Sequence, residues 1–276
     1  VWGARGGGGG EAGGAEIREE GQRERAAAGP ETGGGEGERG APARGWPGAG
    51  ARGEEATPPP PPANREGGFS LEAAEEALHR MESCGVCLIG PGLGRSNSAA
   101  SVVRRVLRTT HLPVVLDADG INALEGHIDV LDARRGACTV LTPHDGEFAR
   151  VSGAPAGEDR LAAARTFAAE HGCVLVPKGH RTITAFPDGA AYVNTTGNPG
   201  MAKGGSGDVL SGILLSFLGQ GMPPRLAVPM AVCVHGMAGD LCAEELGEYG
   251  MTPGDMVDAL PRVLKALEGR RGAPNL

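Results

Sequence analysis

Four short apolar segments between residues 86 and 176, each separated from the next by a longer stretch, constrain the fold of this chain most strongly. Each segment is four residues long, which suits a buried strand and is too short for a helix. Strands of this kind that alternate with helices form a parallel sheet covered by helices on both faces. The sequence therefore predicts an α/β fold with a mainly parallel central sheet. The apolar segments are residues 86–89, 113–116, 138–141 and 173–176.

The rest of the pattern predicts one hairpin and the helices. Residues 182–186 and 190–193 flank the turn Pro187-Asp188-Gly189, which is typical of an antiparallel β-hairpin. Elsewhere apolar residues recur at helical spacing. The predicted helices cover residues 71–81, 99–108, 160–170, 207–219, 225–246 and 254–268.

Glycine or polar residues follow each of the four predicted strands. The carboxyl ends of parallel strands meet at one edge of a sheet, and ligands bind beyond that edge. The sequence therefore predicts a ligand site built from these segments. They are Gly90-Pro91-Gly92-Leu93-Gly94, Asp117-Ala118-Asp119-Gly120, Thr142-Pro143-His144 and Lys178-Gly179-His180.

The glycine-rich segment 198–210 carries the sharpest chemical signal. It contains four glycines, and an apolar helical pattern follows directly. Glycine lets the backbone approach a ligand, and a helix N-terminus presents N–H groups with partial positive charge, so the segment predicts an anion-binding cradle. Asp208 would repel a phosphate but is well placed to take a proton from a hydroxyl that attacks one. The segment therefore favours phosphoryl transfer with Asp208 as general base, the alternative being that Asp208 only caps the helix.

Other polar residues at the predicted strand ends have two interpretations each. Asp117 and Asp119 suit magnesium, although Asp119 also suits a turn. Glu147 suits the orientation of a magnesium-bound water. His144 suits a hydrogen bond to substrate or a structural role, and Lys178 suits a phosphate or a solvated surface.

Several further residues are predicted to be structural. His235 lies inside an apolar helical pattern, and Asp240 follows in the same predicted helix. Cys84 and Cys87 form a CxxC pair without a second pair at zinc spacing, so the cysteines are predicted to be core thiols in a reducing cytoplasm.

Composition limits the partners and the ordered region. The net charge of −8 disfavours non-specific nucleic-acid binding. Residues 1–65 are rich in glycine, include a run of five prolines at 58–62 and contain few large apolar residues, so they are predicted to be disordered. The chain also lacks an apolar stretch typical of a signal peptide, and no segment is expected to approach a membrane span. These observations predict a cytoplasmic protein without nucleic-acid or membrane partners.

With these residues in place, the chain resembles the ADP-dependent NAD(P)H-hydrate dehydratases of the ribokinase-like superfamily. The resemblance implies a ribokinase-like three-layer fold and a carbon–oxygen lyase. It implies that ADP or ATP, with Mg²⁺, phosphorylates the ring hydroxyl of hydrated NADH or NADPH, and that phosphate loss regenerates NAD(P)H. The five matching segments occur in family order and are residues 89–94, 116–122, 141–148, 178–182 and 197–210.

The resemblance also implies roles for individual residues. Asp208 is implied to be catalytic and to contact the substrate hydroxyl, and Glu147 is the residue suggested for the metal. Gly92, Gly94 and His144 are implied to contact substrate. The implied nucleotide site consists of Lys178, Gly179, His180, Arg181, Thr182, Asn198, Gly200, Met201, Ala202, Gly204, Gly205, Ser206 and Gly207.

One departure from the family pattern changes the expected domain organisation. Family members open with a glycine-containing strand and an alanine-rich helix, whereas the low-complexity segment 1–65 stands there in this chain. The expected domain is therefore residues 66–276, N-terminally incomplete, with an exposed sheet edge that favours a homo-oligomer. Two alternatives remain at this point: a vitamin-precursor kinase of the same superfamily, or an inactive nucleotide-binding remnant.

Overall fold

Within the described residues, six strands form one sheet and lie side by side in the order of the sequence. A computed structural model describes residues 69–70 and 72–270, and the segment 1–65 that is predicted to be disordered lies outside them. The first four strands are parallel, whereas the last two pair antiparallel, which confirms the predicted parallel sheet and hairpin. The strands are β1 (Cys87–Ile89), β2 (Val114–Leu116), β3 (Thr139–Leu141), β4 (Val174–Leu175), β5 (Ile183–Ala185) and β6 (Ala191–Val193).

The helices agree with the predicted segments and add four short elements. The short additions are α3, α4 and two 3-10 helices, Ile128–Arg134 and Pro199–Met201. None of the four has an apolar repeat long enough to stand out in the sequence. The α-helices are α1 (Glu72–Met81), α2 (Asn97–Thr109), α3 (Asp119–Asn122), α4 (Asp145–Ser152), α5 (Arg160–His171), α6 (Ser206–Gly219), α7 (Pro224–Gly250) and α8 (Pro253–Arg270).

Two apolar cores lie on opposite faces of the sheet. In β2, Val115 belongs to the core built with α6, α7 and α8, whereas Val114 and Leu116 belong to the core that α5 completes. All three side chains are fully buried. This alternation is what a strand covered on both faces requires, and it explains why β2 reads as a continuous apolar run.

Arg134 joins the end of α2 to β3 from inside the protein. The residue is only 3% exposed, and its guanidinium donates to the hydroxyl of Thr139 and to the carbonyls of Leu107, Thr110 and Leu112. Burial lowers the pKa of Arg134 from its usual value. Arg134 thus supplies donors to carbonyls in the last turn of α2 and in the segment that follows it.

Helix α7 differs from one sequence expectation. It is long and apolar enough to cross a bilayer by length and composition alone, although no segment was expected to approach a membrane span. Half of the most apolar part of α7 is buried within the protein, where the helix packs against α6 and α8. A buried core helix can be equally long and apolar, so length and composition alone do not make α7 a membrane span.

Candidate active site

A buried carboxylate joins the ends of β2 and β4 to α6. The Oδ1 atom of Asp117 accepts from the ammonium of Lys178 at 2.6 Å, and its Oδ2 atom accepts from the hydroxyl of Ser211 at 2.7 Å. The backbone N–H of Ala118 also donates to Oδ1, at 2.9 Å. Asp117 is 1% exposed and Ser211 is fully buried. The strand ends therefore meet, as the sequence predicts, and the first turns of α6 meet them there.

The ammonium of Lys178 lies against the start of α6. A Cβ atom placed on Gly207 would come 3.2 Å from Nζ of Lys178 and 3.7 Å from Oδ2 of Asp117. Gly205 caps the helix with a φ of 96°, a left-handed conformation that favours glycine. The lysine charge and the helix N-terminus therefore combine at one place, which suits an anion.

Asp208 is the third residue of α6, and its side chain is exposed. It therefore lies in the first turn, beside the N–H groups that a helix leaves free for a ligand. Ser206, the first residue of the helix, is buried instead. The carboxylate of Asp208 is therefore accessible from solvent beside the N-terminus of α6.

The loop before α6 is fastened to α7. Asp240 accepts from the backbone N–H of Gly197 at 2.8 Å and from the side-chain amide of Asn198 at 3.0 Å. The hydroxyl of Thr196 donates to the carbonyl of Cys233 at 3.0 Å. The side chain of Asn198 in turn accepts from Gly200 N–H. Asp240 therefore orders this loop, which agrees with the structural role predicted for it.

Lys203 has a structural position that the sequence did not indicate. Its ammonium donates to the carbonyls of Glu248, Tyr249 and Met251, where α7 ends. Gly200 packs into the same corner, since a Cβ atom there would lie 2.7 Å from the carbonyl oxygen of Glu248. The lysine beside the cradle thus holds the loop to the end of α7.

The turn after Lys178 is supported by α4 and α5. The guanidinium of Arg160 donates to the carbonyl of Lys178 at 3.0 Å and to the carboxylate of Asp145 at 2.8 Å. The hydroxyl of Thr182 donates to the carbonyl of Gly179 at 3.0 Å. His180 and Arg181, by contrast, are exposed. The backbone of this turn is therefore fixed while its central side chains face solvent.

His144 and Glu147 bind each other at the start of α4. The Nδ1 atom of His144 accepts from the N–H groups of Gly146 and Glu147, and the Glu147 carboxylate accepts from the N–H of His144 at 2.9 Å. This reciprocal arrangement is a capping box. Glu147 is 5% exposed, whereas the His144 side chain is 55% exposed. The imidazole therefore remains accessible, and the carboxylate is engaged in the helix cap.

The loop after β1 is tied to α3. The N–H of Gly94 donates to the carboxylate of Asp119 at 3.0 Å, and the other carboxylate oxygen accepts from the side chain of Asn122. Gly92 is exposed beside this contact, with a φ of 70°. Asp119 thus fixes the loop that carries Gly92 and Gly94.

Comparison with known proteins decides the family. The family model described as NAD(P)H-hydrate dehydratase matches residues 51–262, more than half of the chain. The chain belongs to this family. The chain is 44% identical over 210 residues to a bifunctional NAD(P)H-hydrate repair enzyme of Moorella thermoacetica, covering 75% of this chain and 39% of that protein. It is 40% identical over 183 residues to an ADP-dependent (S)-NAD(P)H-hydrate dehydratase of Bacillus subtilis, covering 65% of this chain and 64% of that protein.

Solved structures agree with this membership of the NAD(P)H-hydrate dehydratase family. A B. subtilis ADP/ATP-dependent NAD(P)H-hydrate dehydratase, co-crystallised with ATP and Mg²⁺, is 31% identical with a TM-score of 0.57, covering 72% of this chain and 77% of that chain. A ribokinase-like superfamily protein of Enterococcus faecalis is 32% identical with a TM-score of 0.62, and the match covers 71% of this chain and 68% of that chain. The predicted ribokinase-like fold is confirmed. The chain spans about two fifths of the first repair enzymes it matches, and under two thirds of the dehydratase.

The magnesium that the family resemblance implies has no closed protein cage here. Among the described residues, no group of three or more His, Cys, Asp or Glu side chains is arranged to hold a metal ion. Magnesium at nucleotide sites needs only one or two carboxylates, because the phosphates and water supply the other ligands. The exposed carboxylate of Asp208 would therefore suffice as one protein ligand for an ion that arrives bound to the nucleotide phosphates. The metal role of Glu147 stays a prediction.

His235 packs α7 against the first residue of α6. Its Nε2 atom donates to the carbonyl of Ser206 at 2.9 Å and lies 3.3 Å from the hydroxyl of the same residue. Burial is the main reason that the pKa of His235 falls from 6.5 to about 4; the hydrogen bond to Ser206 opposes this shift, and the charge of Lys178 adds to it. A neutral His235 therefore supports the start of the cradle.

We expect His235 to make the protein less stable in mild acid. Its pKa is 6.5 in the unfolded chain and about 4 in the folded one, so the unfolded state binds more protons between these values. The free energy of unfolding should fall by up to about 3 kcal/mol as the pH drops through this window. Urea unfolding at about pH 7 and about pH 4.5 measures the loss. In His235→Gln the loss should shrink, whereas His111→Gln, at an exposed site, should retain it. An equal loss in all three proteins would contradict this role.

Proposed function

We propose that this chain regenerates NADH or NADPH from the hydrated, damaged form of the cofactor, using ADP or ATP as phosphoryl donor. The observation that carries the proposal is the meeting of three groups at the carboxyl edge of the sheet. They are the ammonium of Lys178, the glycine-rich start of α6 and the exposed carboxylate of Asp208. The B. subtilis relatives, which are named for ADP- or ATP-dependent dehydration of NAD(P)H hydrate, support the same assignment.

In the first step the chain's residues transfer a phosphoryl group. Asp208 takes the proton from the ring hydroxyl of the substrate, and the hydroxyl oxygen forms a bond to the terminal phosphorus of ADP. The bond between that phosphorus and the bridging oxygen breaks, and AMP leaves. The N–H groups of Gly204, Gly205 and Gly207 and the ammonium of Lys178 stabilise the charge on the transferred group, which is the main task in such reactions.

In the second step the phosphorylated substrate loses inorganic phosphate. The carbon–oxygen bond breaks with its electron pair on the departing phosphate, and the neighbouring ring carbon loses a proton, so that the dihydronicotinamide double bond is restored. The overall change is therefore loss of water from the substrate and hydrolysis of one phosphoanhydride. The cradle that binds the transferring phosphoryl group also suits the departing phosphate, because both groups carry negative charge.

The other residues of the proposed site divide between the two ligands. Gly92, Gly94 and His144 face the substrate, and the exposed imidazole of His144 is available to it. The turn at residues 178–182 and the loop at residues 198–207 hold the adenine nucleotide. Mg²⁺ bound to the phosphates of that nucleotide would supply positive charge that offsets the charge on the phosphate oxygens.

We also propose that the chain acts in the cytoplasm as a homo-oligomer. Strand β6 lies at the edge of the described sheet, and Tyr192 and Val193 on it are each 47% exposed. Such an edge with exposed apolar side chains favours pairing with another chain.

Product analysis tests the proposed function. NADH hydrate and ADP are incubated with the chain and Mg²⁺, and dihydronicotinamide absorbance, phosphate and AMP are measured together. We expect the three products to appear in equal amounts. A stable phosphorylated product without restored NADH would indicate a small-molecule kinase instead. ADP binding without turnover would indicate a nucleotide-binding protein and contradict the proposal.

A further inference from the structure

Asp117 lies at the centre of the site, although neither step of the proposed reaction assigns it a role. Its carboxylate accepts hydrogen bonds from three parts of the fold. The donors are the ammonium of Lys178 after β4, the hydroxyl of Ser211 in α6 and the N–H of Ala118. At 1% exposure it is closed to solvent and has both oxygens occupied. Its most direct contact is the 2.6 Å ion pair with Lys178.

Lys178 needs such a partner to act at a defined point. A lysine side chain is flexible, and its ammonium carries three donors without a fixed direction. Here the side chain is 22% exposed, and its Nζ atom lies beside the backbone of Gly207. One donor is used by Asp117, so that others remain for a phosphate at the start of α6. Ser211 holds the same carboxylate from the opposite side and limits its rotation.

We propose that Asp117 is a positioning residue that holds the ammonium of Lys178 against the start of α6, where it meets the terminal phosphate of the nucleotide. This inference rests on the proposed function, because it assigns the ion pair to the same phosphoryl transfer. Asp117 touches neither substrate nor nucleotide and acts through Lys178. The requirement for a defined geometry arises in the transition state, when charge moves onto the transferring group and the leaving oxygen.

This role separates turnover from nucleotide affinity. In Asp117→Asn the lysine keeps its positive charge, and a negative charge near the phosphates is removed. Neither change weakens the attraction for ADP, so the affinity should stay within about threefold of the original. The ammonium is then no longer held, so kcat should fall by about tenfold or more. Damage to the fold would instead weaken ADP binding and turnover together. The matched control, Asp258→Asn on the exposed surface of α8, should change neither.

A double-mutant cycle tests whether Asp117 acts through Lys178. Lys178→Met should lower kcat and also weaken ADP binding, and adding Asp117→Asn to it should lower kcat no further. Lys265→Met, at an exposed position, is the control for the lysine change. If the two effects on kcat multiply, Asp117 does not act through Lys178 and the inference fails.

A spectroscopic measurement tests the inference without turnover. The chain has three lysines, at positions 178, 203 and 265, so isotope-labelled lysine gives three assignable ammonium signals. We expect the Lys178 ammonium to exchange slowly with water in the original protein, to shift when ADP is added and to shift less with AMP. In Asp117→Asn the slow exchange should be lost, while the Lys265 signal stays unchanged. An ADP response that is absent, or a Lys178 signal that is identical in both proteins, would overturn the inference.

The two proposals can fail separately. If the original protein binds ADP without turnover, the proposed function fails, and the lysine signals still decide the positioning role. If Asp117→Asn does not fold, Ser211→Ala removes one contact to the carboxylate and should give a smaller loss of slow exchange at Lys178. Ser216→Ala, at an exposed position of the same helix, is its control. Equal signals in both serine variants would overturn the inference.

Discussion

Replacing Asp208 with asparagine is expected to lower kcat by about a hundredfold to ten-thousandfold, the usual contribution of a general base. Asparagine keeps the size of the side chain and its place in the first turn of α6, but it cannot accept the proton of the substrate hydroxyl. The affinity for ADP should therefore be retained, because the cradle N–H groups and Lys178 are unchanged. Turnover and calorimetric ADP binding, measured on the same preparation, separate these two effects.

The control for this substitution is Asp255→Asn, at the start of α8. Asp255 accepts hydrogen bonds from Thr252 and is thus another acid in the first turn of a helix. Its replacement should weaken a helix cap and leave kcat unchanged. If Asp208→Asn behaves in the same way, Asp208 has only a structural role in the first turn of α6 and is not a base.

Replacing Gly90 with alanine is expected to cause the largest loss of stability among single glycine substitutions at the site. Gly90 has a φ of 135°, which side-chain-bearing residues rarely adopt, and a Cβ atom there would lie 1.7 Å from the carbonyl oxygen of Asp117. The clash is with backbone, so the ends of β1 and β2 would have to separate. We expect a loss of about 3 kcal/mol or more in urea unfolding.

Two other glycines separate strain from steric clash. Gly126 also has a positive φ of 70° but has open space around it, so Gly126→Ala should cost only about 1–2 kcal/mol. Gly85→Ala meets open space at an ordinary φ and should be nearly neutral. Comparable losses for Gly90 and Gly126 would mean that the two strand ends are not tightly packed.

The main sheet could be predicted from the sequence because each strand is a short apolar run with a polar end. The strand from Val114 to Leu116 is an example, since all three residues are buried and no alternation interrupts the run. The glycine-rich start of α6 at residues 204–207 could be predicted for a similar reason, because glycines directly before an apolar run indicate where the helix begins, and its role as an anion-binding cradle stays a prediction. Both signals are local in sequence.

The ion pair at the centre of the site could not be predicted in this way. Asp117 and Lys178 are 61 residues apart, and Asp117 and Ser211 are 94 residues apart. The sequence placed both charged residues at strand ends, but only the order of strands in the sheet determines which side chains meet. Ser211 gave no signal at all, because a serine inside an apolar helix usually bonds within its own helix or faces solvent.

The capping box at the start of α4 is a second feature that the local sequence pattern does not predict. His144 was expected either to contact substrate or to be structural, and its imidazole caps a helix while remaining accessible. Histidine is not among the residues preferred at this position, so the capping box was not visible in the pattern. The contacts of Lys203 could not be predicted for another reason, since its three carbonyl partners at the end of α7 lie 45 to 48 residues away.

The fate of the substrate's hydroxyl oxygen tests the central claim most directly. The hydroxyl of NADH hydrate is labelled with a heavy oxygen isotope, and the masses of the phosphate and water formed with ADP are measured. If Asp208 directs that hydroxyl onto phosphorus and the carbon–oxygen bond then breaks, the label appears in inorganic phosphate. Label in the water, with unlabelled phosphate, would mean that the hydroxyl is never phosphorylated and would contradict the role proposed for the cradle and Asp208.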